Sequence, residues 1–177
     1  MDKDKKDNHY YKGRYRIPSA RLKNWDYLRK SSYFITICTK NMIPAFGCVT
    51  KNKMELNKLG LYVDQSIEGI KIHKKNINII NHIVMPNHVH ILLFLNNPHQ
   101  PKIINRFGPL IPESLSALIN HFKGRITKYA QKEKLFWPDW QDRFHDKIIK
   151  DKKSFDFINQ YISNNPLTWK DDRYFRK

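Results

Sequence analysis

The sequence predicts an α+β fold, with one antiparallel sheet, helices on one face of it, and a further helix near the C-terminus. Three observations carry that expectation. Strand-like and helix-like stretches follow in the order strand, helix, strand, strand, helix, strand, helix. The apolar runs 77–85 and 87–95 are separated only by Pro86-Asn87, so they read as the arms of an antiparallel hairpin. Each helical stretch carries one apolar stripe at three- and four-residue spacings, which must be buried against a sheet.

Each element has its own signal. Residues 33–39, YFITICT, are β-branched and aromatic, as strands are. Met42-Ile43-Pro44 breaks that run, 46–49 reads as a short paired strand, and Lys51-Asn52-Lys53 as a turn. A helix is expected over 55–73, with Leu56, Leu59, Val63, Ile67 and Ile70 on one face and Gly60 and Gly69 weakening it. The hairpin 77–95 follows, closed by Asn96-Asn97-Pro98. A Pro- and Gly-punctuated loop spans 99–110. A second helix is expected over 112–132, with Pro112 in its first turn and Leu115, Leu118, Ile119, Phe122, Ile126 and Tyr129 on its buried face. Residues 135–150 are aromatic and then strand-like. Ser154 reads as the cap of a last helix over 155–164, with Phe155, Ile158 and Ile162 inward and Pro166 ending it. A βαββαβ order of this kind is the ferredoxin-like arrangement. We divide the chain into a basic aromatic arm (1–30), one domain (31–167) and a basic tail (168–177).

Composition narrows the function classes. The 177 residues hold 33 Lys+Arg against 16 Asp+Glu, a net charge of +17. Such a balance points to a polyanionic partner, nucleic acid first. A membrane surface is the rival on charge alone, but no apolar run is long enough to span a bilayer. The N-terminus MDKDKKDNHYYKGRYR is polar throughout, without a signal-peptide pattern. Cys38 and Cys48 lack metal-ligand spacing and suit a reduced cytoplasm. Arg14 and Arg21 in the arm, Lys123, Arg125 and Lys128 on the second helix, and Arg143 are the candidate DNA-contacting cations. On the helix, a merely solvated face is the alternative.

The chemistry-bearing residues fall in two places. His88 and His90 start the second arm of the hairpin, and side chains at i and i+2 of a strand share a face. Two neutral imidazoles side by side can hold a divalent metal, although spacing alone leaves an ordinary structural pair open. On the last helix, Tyr161 and Asn165 stand four residues apart and share a face. A phenol of ordinary acidity is a poor nucleophile unless a metal polarises the group that it attacks. Asn165 offers an oxygen ligand to such a metal. His82 reads as structural, and His145 is given no catalytic role.

The segments PNHVHILL at 86–93 and WQDRFHDKIIKDKKSFDFINQYISNNP at 140–166 together resemble the single-tyrosine HUH transposases, and among them the REP-associated tyrosine transposases. The resemblance spans roughly residues 30–167. It implies the ferredoxin-like fold and a Mg²⁺- or Mn²⁺-dependent endonuclease and strand transferase acting on single-stranded or hairpin DNA. It further implies that His88, His90 and Asn165 are the metal ligands and that Tyr161 is the nucleophile, forming a 5′-phosphotyrosine. Either a monomer or a homodimer is compatible with it. The competing reading is a non-catalytic nucleic-acid-binding regulator that keeps the fold. The absence of a G-x-x-x-x-G-K-[ST] loop agrees with strand transfer that draws on no nucleotide.

Overall fold

A four-stranded sheet in the order β4-β5-β1-β6 is the centre of the molecule. Its strands are β1 (Ser31–Cys38), β4 (Ile77–Met85), β5 (His88–Leu95) and β6 (His145–Ile149). All three neighbouring pairs are antiparallel. In a computed structural model this sheet lies within the described residues, 30–96 and 114–176, where the side chains of 71–73 are excluded. The 1–30 arm with Arg14 and Arg21 (all but its last residue), the 99–110 loop and Pro112 lie outside the described residues.

Strand alternation sorts the core into two layers. Tyr33, Ile35 and Ile37 of β1 and Val89, Ile91, Leu93 and Leu95 of β5 face α1 (Lys58–His73) and α2 (Leu115–Lys132). Leu59, Val63 and Ile67 of α1 and Ile119, Phe122 and Ile126 of α2 complete that layer. Burying each such side chain contributes about 1.5–3 kcal/mol. The opposite face carries Phe34 and Leu92, covered by Ile158 and Ile162 of α3 (Lys152–Asn164). The expected fold is therefore observed, with two helices on one face and the last helix alone on the other. β4 serves both layers because its register shifts between Ile79 and Asn81. This bulge keeps Ile79 and Val84 among the α1–α2 layer while turning Ile83 toward α3.

Several boundaries differ from expectation, each because a capping or alternation signal outweighs helical periodicity. Residues 53–56 are strand: β3 (Lys53–Leu56) pairs with β2 (Gly47–Thr50) across a turn in which Lys51 and Asn52 have φ of 48° and 60°. Two left-handed residues in succession fit the twist of a tight hairpin. Asn57 then caps α1 by accepting from the Gly60 amide at 2.9 Å. A Cβ on Gly60 would stand 2.1 Å from the Phe46 carbonyl, so only glycine lets the helix approach the β2 arm. Ser114 caps α2 (Leu115–Lys132), its side chain accepting from Ala117 N at 3.2 Å. Asp151, not Ser154, caps α3; Ser154 is the donor, through both its amide (2.8 Å) and its hydroxyl (2.9 Å).

The chain does not separate from the fold at residue 167. A 3₁₀ segment runs through Asn165–Asp171, and Trp169 and Tyr174 are buried with Cys38 and Met85. Among the described residues, no helix is long and apolar enough to cross a membrane.

Candidate metal centre and tyrosine

The hairpin turn Pro86-Asn87 delivers His88 and His90 to the sheet face away from α1 and α2, at 0% and 1% exposure. Asn87, itself fully buried, is the organiser. Its Nδ2 donates to the carbonyls of Met42 (2.9 Å) and Tyr174 (2.8 Å), which leaves Oδ1 to meet His88 Nδ1 at 2.9 Å. An amide oxygen only accepts, so His88 carries its proton on Nδ1 and its Nε2 is bare. Thr36, the β1 register partner of His90, places its hydroxyl 2.8 Å from His90 Nδ1. That hydroxyl either donates or accepts, so His90 holds its proton on Nε2, toward His88, or on Nδ1, which bares Nε2.

The two Nε2 atoms stand 3.1 Å apart. With both bared, a separation of 3.1 Å lets one ion stand at about 2.1 Å from each nitrogen. Burial makes both rings neutral: it drives His88 down to about 3 and His90 well below its ordinary value, with the neighbouring His88 adding to the effect on His90. Neutral imidazole is the form that binds metal.

Tyr161 and Asn165 reach the same place from α3. The Tyr161 hydroxyl is 3.3 Å from His90 Nε2 and donates to Asp172 Oδ2 at 2.8 Å. The same carboxylate oxygen accepts from Asn165 Nδ2 at 2.8 Å. Asn165 is fully buried, and its Oδ1 has no hydrogen-bond partner. An orphaned buried oxygen costs on the order of 1–3 kcal/mol and is the group that a cation would satisfy. The donor set of two imidazoles and one amide oxygen thus fits a divalent ion. No cluster of three or more His, Cys, Asp or Glu suited to a metal occurs among the described residues.

The structure therefore brings His88, His90, Tyr161 and Asn165 together, with Asp172 as the link. Burial comes first in pushing the Tyr161 phenol up, and the hydrogen bond to Asp172 adds to it. Tyr174 closes the site from outside, its ring centroid 4.6 Å from that of His88. Sequence reasoning missed Asp172, Tyr174, Thr36 and Asn87. Only Asn87 left a signal, as half of the turn that precedes the histidines.

Among the described residues, the candidate DNA-contacting cations are not part of this centre. Lys123, Arg125 and Lys128 sit on α2, behind the sheet. Lys123 is partly buried and donates to the carbonyls of Gln141 (2.6 Å) and Arg143 (3.3 Å); burial lowers its pKa. Its ammonium holds a loop. Arg125 donates to the Tyr62 hydroxyl at 3.2 Å and lies over that ring. Lys128 and Arg143 are exposed. His82 is structural as expected, joining β4 to Asp64 of α1 at 2.9 Å.

Comparisons with known proteins follow this geometry. No family model matches the sequence. A Haemophilus influenzae protein described only as uncharacterized is 32% identical over 174 residues, covering 94% of this chain and 97% of that protein. Among solved structures, a REP-associated tyrosine transposase bound to a REP hairpin superposes over 84% of this chain and 74% of its own, with a TM-score of 0.56 and 17% identity. At that identity the likeness is one of fold.

Proposed function

We propose, for a chain that belongs to one family with the Haemophilus influenzae protein and has the fold of the hairpin-bound transposase, that it cuts and rejoins single-stranded DNA beside a hairpin. The observation that carries this reading is the Tyr161 hydroxyl, 3.3 Å from His90 Nε2, beside the paired imidazoles of His88 and His90 and on the same helix face as Asn165, whose buried amide oxygen has no hydrogen-bond partner. The DNA hairpin enters the proposal from the fold neighbour, and the net charge of +17 agrees with a polyanionic substrate.

His88 Nε2, His90 Nε2 and Asn165 Oδ1 would hold Mg²⁺ or Mn²⁺, which supplies positive charge to a phosphate as it is attacked. The remaining steps belong to the chain. Residues 169–175 must first lift, because Trp169 and Tyr174 cover the histidines and Asp172 holds the phenol. Lifting them lessens the burial that raises the Tyr161 pKa and takes away the Asp172 carboxylate and Tyr174, which add to it, and so makes the phenol easier to ionise. The Tyr161 oxygen then attacks phosphorus. An O–P bond forms to tyrosine, the bond to the 3′ oxygen breaks, and the phenolic proton is lost while the 3′ oxygen gains one. The tyrosyl ester keeps the phosphodiester's bond energy, so another 3′-hydroxyl can reverse the step onto a new strand.

Incubating the protein with a labelled hairpin oligonucleotide and Mn²⁺, then denaturing it, tests the proposal. Label is expected to migrate with the protein, and to be lost in Tyr161→Phe while hairpin binding persists. An adduct that survives Tyr161→Phe overturns the assignment of the nucleophile.

A further inference from the structure

The register of β4 slips by one residue in mid-strand: Ile79 stands opposite Leu93, and Asn81 opposite Leu92. Strict alternation counted from Ile79 would turn Asn81 toward α1 and α2, and His82 toward α3. The slip exchanges the two. Asn81 shares the face of Leu92, under α3, and His82 reaches Asp64 of α1. Each polar side chain meets its partner only because of the bulge. We infer that Asn81 is a positioning residue for Tyr161: it clamps α3 to the sheet and so sets where the phenol stands relative to His90. The inference deepens the proposed DNA-cutting function and rests on it.

The clamp is a three-point contact made by one amide. Asn81 Nδ2 donates to Asn159 Oδ1 at 2.8 Å, to Ser163 Oγ at 3.1 Å and to the Asn159 carbonyl at 3.2 Å. The Ser163 hydroxyl commits its own proton to that carbonyl, at 3.2 Å, which leaves its oxygen free to accept. Asn159 and Ser163 lie one helical turn apart on a common face. They bracket Tyr161, two residues before it and two after.

Apolar packing alone does not fix the helix in this way. Beneath α3, Leu92 packs with Ile158 and Ile162, and Ile80 and Ile83 add partly buried surface. Such contacts stabilise without favouring a direction, so a helix can turn or slide over them. Hydrogen bonds weaken steeply with distance and angle, so the clamp fixes both the rotation and the advance of α3. The sheet carries that position on to the candidate metal centre. Asn81 is two residues from Ile83 on β4, and Ile83 is the register partner of His90. Clamp, strand pair and imidazole form one path to the 3.3 Å contact between the Tyr161 hydroxyl and His90 Nε2. Misplacing a reacting group by about 1 Å costs up to about a hundredfold in rate, and the clamp acts on that scale.

The test uses the full chain with a labelled hairpin oligonucleotide at saturating concentration and Mn²⁺. Asn81→Leu keeps a similar branched shape and removes the donors. It is expected to slow adduct formation by about tenfold or more while the dissociation constant for the hairpin stays unchanged. Asn159→Ala/Ser163→Ala removes acceptors from the helix side and is expected to do the same. His82→Leu is the control, because it breaks the tie of the next residue on the same strand to α1 and leaves α3 alone. It is expected to lower the melting temperature and to keep the parent rate. A second readout needs no chemistry: a ring-fluorinated tyrosine in place of Tyr161 is followed by fluorine NMR. Its resonance is expected to shift or broaden in both clamp variants and to stay in place in His82→Leu.

A parent rate in both clamp variants overturns the inference, and so does a His82→Leu variant slowed as much as Asn81→Leu. Adducts that form at the parent rate without the clamp remove the positioning role and keep the cleavage reading. A resonance that moves only in the clamp variants, in a protein that never forms an adduct, keeps the clamp on Tyr161 and removes the cleavage reading.

Discussion

Two buried imidazoles with Nε2 atoms 3.1 Å apart cannot both be charged, and burial keeps them neutral far below the ordinary histidine range. This has a consequence for stability. His88 titrates near 3 in the folded chain, against its ordinary 6.5 when unfolded. A folded value below the unfolded one means that the unfolded chain takes up the proton first as the pH falls. The stabilisation is therefore complete above the unfolded value and drains away from there down toward the folded one. In the presence of chelator, the melting temperature is expected to fall steadily between pH 7 and pH 4, and more gently in His88→Gln/His90→Gln. Parallel slopes for the two proteins would show that the pair does not titrate in this way.

At the scale of elements, the segment after α3 decides whether the centre is open. Asp172 accepts from Tyr161, from Asn165 and, at 2.8 Å, from the Tyr174 amide, so one carboxylate pins the whole segment down. Removing it should loosen the cover more than it harms the core, because the apolar layers on both sheet faces lie elsewhere. In Asp172→Ala, His88 and His90 are expected to react several-fold faster with diethylpyrocarbonate, mapped peptide by peptide. An unchanged rate at both residues would mean that Trp169 and Tyr174 hold the cover without the carboxylate. The same region contains more packing than the composition of the tail reveals. Its residues are basic and aromatic, and in the fold Trp169 and Tyr174 are buried with Cys38 and Met85, which are brought together only by strand pairing with His88.

At the scale of the molecule, the charge of +17 is the dominant feature. Binding of a single-stranded or hairpin probe is expected to weaken steeply with salt. Four or more phosphate contacts give a slope of about −3 or steeper in log K against log salt. A flat dependence would exclude the phosphate backbone as the main partner. Lys123 shows that formal charge does not map directly onto such contacts: its ammonium is committed to two carbonyls of the Gln141–Arg143 loop.

By itself, the sequence determined the order of the four main-sheet strands and three helices, the antiparallel hairpin and the two residue pairs, since periods of two and of three to four residues and a Pro-Asn break are local properties of the chain. His-x-His on a strand and Tyr-Ile-x-x-Asn on a helix each put two functional groups on one face without any knowledge of the fold. Helix starts were less legible, because Asn57, Ser114 and Asp151 act through a single side-chain bond that periodicity does not register. Only the tertiary structure decided that the two pairs meet, that the last helix lies on the face opposite α1 and α2, and that Asp172 joins Tyr161 to Asn165. The physical reason is distance along the chain. His90 and Tyr161 are 71 residues apart, and nothing short of a formed sheet with a helix packed across it brings their polar atoms to 3.3 Å.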